Sequence, residues 1–402
     1  MDQAAAARPS TPAPELDARV RALQSSLQAR AFDGALILQN ADLFYYAGTV
    51  QQSYLYVPAQ GEPTLFVRRV LERARAESAL ATVVPLASPK GLAEALLGRY
   101  GALPQRLGLE LDVLPVNRLQ KLQELLPGIT PVDVSPDIVQ QRSIKSEHEI
   151  GLLRESAALG DAICARLPDL LEEGLSEAEF AGRVEAQARA LGHEGIIRMR
   201  GFNQEMFYGQ LLVGLSGAVA SFLDTPLGGS GLSAAVAQGV SMRRIGRGEP
   251  IVFDFVPVRN GYITDFTRIF SLGRLPDELR LAYGVALQVQ DAVVEVARPG
   301  VTCSTLYEAA VAAAERAGLA EHFMGHGPTR VRFVGHGVGL ELDELPVIAA
   351  NDTVLEPGMV FALEPKFVFP GLGAVGIENT WCVRADGLER LTLSSEELRE
   401  LA

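Results

Sequence analysis

Apolar positions in the first third of the chain alternate between two spacings. Leu16 to Arg30 carries them every three or four residues, as in a helix with one buried face. Gly34 to Leu38, Ser53 to Val57, Pro63 to Val67 and Thr82 to Leu86 are short runs of strand formers. Helices are expected over 68–79, 90–100 and 116–126. Such alternation over residues 15–140 predicts a small α/β domain. It holds no glycine-rich phosphate loop and no set of catalytic side chains. Residues 1–14, rich in Ala, Pro and Ser, read as a disordered tail.

Beyond an expected break at Ser135-Pro136 the pattern changes. Ser146 with Glu149, Ser176 with Glu179 and Thr305 with Glu308 have the spacing of capping boxes, each predicting a helix start. Strands are expected over 250–258, 262–271, 331–336, 359–369 and 374–383. Residues 141–402 therefore read as a second, α+β domain. Two domains suit a chain of 402 residues.

Composition removes whole classes of partner. A formal charge of −13 without a basic run repels phosphate backbones, so no nucleic acid is expected. No apolar stretch approaches the ~18 residues that span a bilayer, and the start lacks the pattern of a secretory signal, so no membrane is expected either. Cys164, Cys303 and Cys382 have neither zinc-site nor redox-motif spacing and read as buried thiols of a reducing compartment, the cytoplasm.

The chemistry lies in five residues. Asp254 and Asp265 sit in apolar strands on either side of Asn260-Gly261, a dipeptide that favours a tight type I′ hairpin. With that loop, Arg259 faces Tyr262, and Asp265 comes opposite Val256, on the face Asp254 shares. The two carboxylates become diagonal neighbours, roughly 7–8 Å apart at Cα. Such a pair shares a proton, binds a divalent cation, or leaves one member in solvent. His336 lies in Gly335-His336-Gly337-Val338-Gly339, where the flanking glycines admit close neighbours. Glu364 follows Val360 to Leu363 and precedes Pro365, and Glu378 follows Ala374 to Ile377. Four carboxylates and one imidazole in apolar strands suit an oxygen-rich site for divalent ions.

This ordered set resembles the pita-bread metallopeptidases: aminopeptidase P, prolidase and methionine aminopeptidase, with creatinase as a non-metal relative. Its parts are Asp254, the run Asp265 to Arg268, Gly-His-Gly-Val-Gly at 335–339, Glu364-Pro365 and Ile377-Glu378. The junction Gln141 to Ser146 also matches. The resemblance implies a creatinase/prolidase-like α/β N-terminal domain followed by an α+β pita-bread catalytic domain. It further implies two divalent metal ions, with Mn2+ best suited and Co2+ or Zn2+ acceptable. Asp265 and Glu378 would bridge them, Asp254 would hold one, and His336 and Glu364 would complete the other. Glu364 would also take the proton of the attacking water. A short peptide of Xaa-Pro type, or another small-molecule substrate, and a homodimer follow from the same resemblance.

Three positions depart from it. Residue 343 is Asp where the peptidases carry histidine, Ser230 to Gly239 contains no histidine, and Gly376 stands where prolidase-like members carry arginine. Groups that would replace the lost donors are Lys366, His326, Arg330, Arg332 and Tyr208, with Asp343 as an anchor for a substrate amine. Each also suits a solvated or structural role. The run Gly228 to Gly231 fits a cleft wall or a plain loop. Two further readings stay open: a non-peptidase enzyme cleaving a C–N or other bond of a small metabolite, and a binding protein that has lost catalysis.

Overall fold

The computed structural model describes residues 11–402, so residues 1–10 of the expected tail lie outside the described residues. The rest of that stretch runs straight into a helix, Ala13–Ala29, with Pro14 in the first turn, where the missing N–H costs nothing. Two compact units follow, divided between Gln141 and Arg142.

The first unit is built on a six-stranded mixed sheet. Its order is Val83–Pro85, Thr64–Val67, Ser53–Pro58, Gly34–Ile37, Arg106–Leu109, Thr130–Asp133. Leu36, Leu107, Leu109, Leu92, Leu96 and Leu122 join in its core. Sequence reading missed the last two strands, whose runs are short. Gly108 has a physical reason: a Cβ there would lie 3.1 Å from Val134 and 3.3 Å from Ala35. The helix Asn40–Ala47 was also missed. The expected break at Ser135-Pro136 is instead the start of a helix, Ser135–Ser143, because proline is well suited to a first helical turn.

The second unit opens with Glu147–Cys164 and Glu177–Ala190, and both expected capping boxes are formed, by Ser146 with Glu149 and by Ser176 with Glu179. The third cap lies one turn earlier than expected. Thr302 rather than Thr305 precedes the helix Cys303–Arg316, and its side chain accepts from the Thr305 N–H. A four-stranded sheet has the order Arg399–Leu401, Phe266–Leu272, Ile251–Phe255, Gly209–Val213. A five-stranded sheet has the order Glu344–Ala349, Phe333–Gly337, Val360–Leu363, Asn379–Arg384, Gly387–Arg390. Lys366–Phe369 and Gly373–Gly376 form a separate hairpin ladder. Helices Asp277–Val296 and Cys303–Arg316 share one apolar core with residues of these two sheets and of the hairpin, among them Val252, Phe361 and Phe367.

Two expected strands are each broken in two. The run 359–369 leaves the five-stranded sheet at Leu363 and joins the hairpin at Lys366; the run 374–383 leaves the hairpin at Gly376 and re-enters the five-stranded sheet at Asn379. Glu364 and Glu378 lie in those two gaps. Asp265 lies in a third gap, between Tyr262–Ile263 and Phe266–Leu272. At such gaps the regular ladder is interrupted, so a side chain can turn toward the space where the sheets meet.

Candidate active site

The Asn260-Gly261 turn forms with positive φ at both residues, 52° and 78°, as a type I′ hairpin needs. Arg259 pairs with Tyr262, and the same register continues to Phe255 opposite Phe266 and Asp254 opposite Thr267. Asp254 and Asp265 thus reach one site from neighbouring strands, both buried.

Residues after Asp265 hold Glu378. Thr267 Oγ1 donates to Glu378 Oε2 at 2.7 Å, and the two residues form an isolated antiparallel bridge. Buried Arg268 donates to the carbonyl of Glu378 and to Asn379 Oδ1, each at 2.8 Å. The Thr380 hydroxyl accepts from the Asp265 N–H at 2.9 Å and donates to the Asp265 carbonyl at 2.8 Å. Each acid's backbone is fixed by side chains from the other's strand.

His336 sits on the central part of the five-stranded sheet, opposite Ala362. Its flanking glycines are required by close backbones. A Cβ at Gly335 would lie 2.3 Å from the Ala362 carbonyl oxygen, and one at Gly337 would lie 2.2 Å from that of Leu345. His336 Nε2 stands 3.8 Å from Asp265 Oδ2 and 3.9 Å from Glu364 Oε1.

The five expected residues therefore converge, and they share a cleft of about 240 Å³ with Gln210, Asp343 and Lys366. Asp265, His336 and Glu378 offer one ligand atom each within 4.8 Å of one another, a spacing that suits a single ion. Asp265 Oδ1 is buried and has no hydrogen-bond partner among the described residues. A buried carboxylate oxygen left in this way is costly unless a cation meets it. Burial, together with Glu378 and Asp254, pushes the Asp265 carboxyl well above the usual aspartate range. These features fit a divalent ion on this side.

On the other side, Lys366 Nζ donates to Asp254 Oδ2 at 2.7 Å, Glu364 Oε2 at 2.8 Å and Glu378 Oε2 at 3.0 Å. Burial favours the neutral amine, but the three carboxylates outweigh it and hold the ammonium protonated well beyond the ordinary lysine range. Burial likewise pushes Asp254 up to about 6 even though Lys366 opposes the shift.

The expected substrate contacts are scattered. Asp343 borders the cleft, but its carboxylate accepts the N–H groups of Arg200 and Gly201 at 2.7 and 2.8 Å, so it anchors that loop. Tyr208 packs its ring 4.6 Å from that of His193 and faces a separate, mainly apolar cavity of about 380 Å³. His326 is exposed and stacks on His322, 5.7 Å away between ring centres. Arg330 donates to the Phe323 carbonyl at 3.1 Å, and neither it nor Arg332 lines the cleft. Gly228 to Gly231 is a tight loop in which a Cβ at Gly231 would meet the Val236 carbonyl at 1.8 Å, and it does not line the cleft.

Sequence reading missed Gln210. It pairs with Asp254 across neighbouring strands, is 3% exposed, and neither amide atom has a partner among the described residues. Its one signal was an amide amid the strand formers of Gly209–Val213.

Residues 151–385 match metallopeptidase family M24, and residues 19–144 match the creatinase/prolidase N-terminal domain. The Xaa-Pro dipeptidase of Pyrococcus horikoshii is 29% identical over 388 residues, covering 95% of this chain and 99% of its own length. Among solved structures, the Xaa-Pro dipeptidase from Bacillus anthracis aligns with a TM-score of 0.81 at 26% identity, over 96% of this chain and all of that one. Dipeptidase PepE from Mycobacterium ulcerans aligns with a TM-score of 0.78 at 27% identity, over 98% of this chain and all of that one. With the fold, the ordered acids and both domain matches in agreement, the chain belongs to metallopeptidase family M24 and carries the creatinase/prolidase N-terminal domain ahead of the catalytic one.

Proposed function

We propose that the protein is a metal-dependent peptidase of short substrates, a dipeptidase of the Xaa-Pro type. The observation that carries this reading is the convergence of Asp265, His336 and Glu378 in a cleft, with Asp265 Oδ1 buried and unpaired. Support comes from relatives named for that activity that align over nearly their full length. An oxygen-rich set with one imidazole favours Mn2+, with Co2+ or Zn2+ as substitutes. A divalent ion bound there supplies Lewis acidity, polarising a carbonyl and acidifying water.

The chain's own residues do the rest. Glu364 borders the cleft beside His336, and its Oε2 is fixed by Lys366. It is the group placed to take a proton from water and return it to the leaving amine. Gln210 offers an amide N–H and a carbonyl to the same cleft without an internal partner to give up. It is the best placed replacement for the histidines absent from Ser230 to Gly239 and from position 343. A donor that is already desolvated is the kind that stabilises a developing oxyanion within its reach.

A second reading is favoured by one observation: among the described residues, His336 is the only histidine lining the cleft. That suits a hydrolase acting on a C–N bond of a small non-peptide metabolite. Both readings are tested by loading the purified protein with Mn2+ and assaying Xaa-Pro dipeptides, longer Xaa-Pro peptides and dipeptides without proline. Release of the C-terminal residue from dipeptides is expected. Inertness toward every peptide in a metal-loaded sample moves the assignment to the non-peptide substrate.

A further inference from the structure

Among the described residues, Lys366 is the one buried cation lining the cleft, and its donors are spent on the acids there. An ammonium group offers three N–H bonds. Here they go to Asp254, Glu364 and Glu378, at 2.7 to 3.0 Å, with the side chain 2% exposed. These are the lengths of charge-assisted hydrogen bonds. The nitrogen therefore stands where carboxylates from one strand, Asp254, and from two gaps between strands, Glu364 and Glu378, converge, which is the position a cation would take.

The surroundings are shaped for the lysine stem. Lys366 pairs with Gly376 across the hairpin ladder. A Cβ on Gly376 would lie 2.6 Å from Lys366 Cγ and 2.7 Å from the Pro365 carbonyl oxygen. Any side chain at 376 would contest the space through which the stem reaches the acids.

Lys366 already supplies one positive charge to the acids of the cleft, and Asp254, Glu364 and Glu378 each have an oxygen engaged by it. Asp265 makes no hydrogen bond to Lys366: its Oδ2 stands 3.8 Å from His336 Nε2, and its Oδ1 is buried without a partner among the described residues.

We infer that the Lys366 ammonium permanently occupies the position of one metal ion, so that the centre binds a single divalent ion through Asp265, His336 and Glu378. The site is then mononuclear with a built-in organic cation, and Asp254 serves the lysine rather than a metal. This rests on the metal-dependent reading for the presence of the remaining ion, and not on the substrate. Lys366 is a positioning residue in this arrangement: it fixes Glu364 and neutralises Asp254.

The test is metal counting on the full-length protein. The protein is equilibrated with excess Mn2+, freed of unbound ion, and measured by elemental mass spectrometry and electron paramagnetic resonance. The wild type is expected to hold one Mn2+ per chain with the six-line spectrum of an isolated ion. Lys366→Gly is expected to hold two, with an exchange-coupled spectrum. Two ions in the wild type, or none, overturns the inference. So does a folded Lys366→Gly protein, judged by circular dichroism, that still holds one. The wild-type count decides on its own if the variant does not fold. Dipeptide hydrolysis measured on the same wild-type sample keeps the two ideas apart. One ion without hydrolysis removes the peptidase reading alone, whereas two ions with hydrolysis removes the lysine inference alone.

Discussion

Lys366 and Gly376 face each other across the ladder between Lys366–Phe369 and Gly373–Gly376, and the lysine stem fills the volume that a side chain at 376 would need. The arginine that the resemblance places at 376 and the lysine at 366 are thus alternatives in space. Gly376→Ala is expected to destabilise the protein by roughly 1–3 kcal/mol, the usual cost of forcing a methyl into a packed site. The backbone carbonyl of Pro365 and the Cα of Lys366 are also within 3 Å of the added carbon, so rotation of the lysine alone does not relieve it. Urea unfolding of the metal-free protein reads this directly. A midpoint unchanged from wild type would show that the pairing is loose.

Acid sensitivity should come from a second buried cluster. Glu344 is held at about 2, below its usual 4.5, because Arg142 and Lys145 together outweigh the opposing effect of its burial. Arg142 Nη2 lies 2.6 Å and Lys145 Nζ 3.0 Å from its oxygens, and Oε1 also accepts from the N–H of Leu340 and of Glu341. A carboxylate lowered by folding stabilises the native state fully above its unfolded value and loses that contribution as pH falls toward the folded one. The window here is pH 4.5 down to 2, and the size is on the order of 3 kcal/mol. Unfolding free energy measured from pH 6 to pH 3 should fall more steeply for the wild type than for Glu344→Gln. The variant starts lower at neutral pH, since Lys145 and Arg142 lose their charged contact with residue 344, although Arg142 keeps its pair with Glu341 at 2.8 Å. Parallel curves would remove Glu344 as the source.

The parts of this site that could be read in advance were those set by local chemistry. Asn260-Gly261 dictated a turn, the turn dictated a register, and the register put Asp254 and Asp265 together. The capping boxes at Ser146 and Ser176 were legible for the same reason. Glu364 and Glu378 were legible as residues but not as places, because each was read inside one continuous strand. Hydrophobic alternation does not record that a chain leaves one sheet and enters another, although Pro365, which cannot donate to a ladder, hints at the first break. Lys366 was weighed only as a substrate contact. Its three partners come from positions 254, 364 and 378, a gathering no short spacing encodes. Gln210 had no motif at all, and only its neighbour across the sheet, Asp254, gives it meaning.

Gln210→Leu should lower kcat/KM on the best dipeptide by about 10²-fold, the cost of losing one donor to a developing oxyanion. Leucine is close in size and removes two buried, unpaired polar atoms, so thermal stability should hold or rise. The combination is diagnostic, because a residue that merely filled space would change neither quantity much. Unchanged kinetics would return the oxyanion role to another cleft residue.

Glu364→Gln separates binding of the ion from use of the water. The trio Asp265, His336 and Glu378 does not include it, so Mn2+ content should stay at the wild-type level. Glutamine cannot accept the proton, and kcat should fall by roughly 10²–10⁴-fold with little change in KM, the range for losing a general base. His336→Ala removes the only imidazole in the trio and should lose the ion as well as activity. Elemental analysis beside steady-state kinetics distinguishes the two variants. Loss of the ion from Glu364→Gln would make that carboxylate a necessary ligand, and its proton-transfer role would then need a different bearer. Gln210 is no substitute for it, since a carboxamide is neither a base nor an acid near neutral pH, and Asp343 is spent on the Arg200 and Gly201 N–H groups. Retention of the ion with loss of turnover leaves Glu364 as the group that moves the proton.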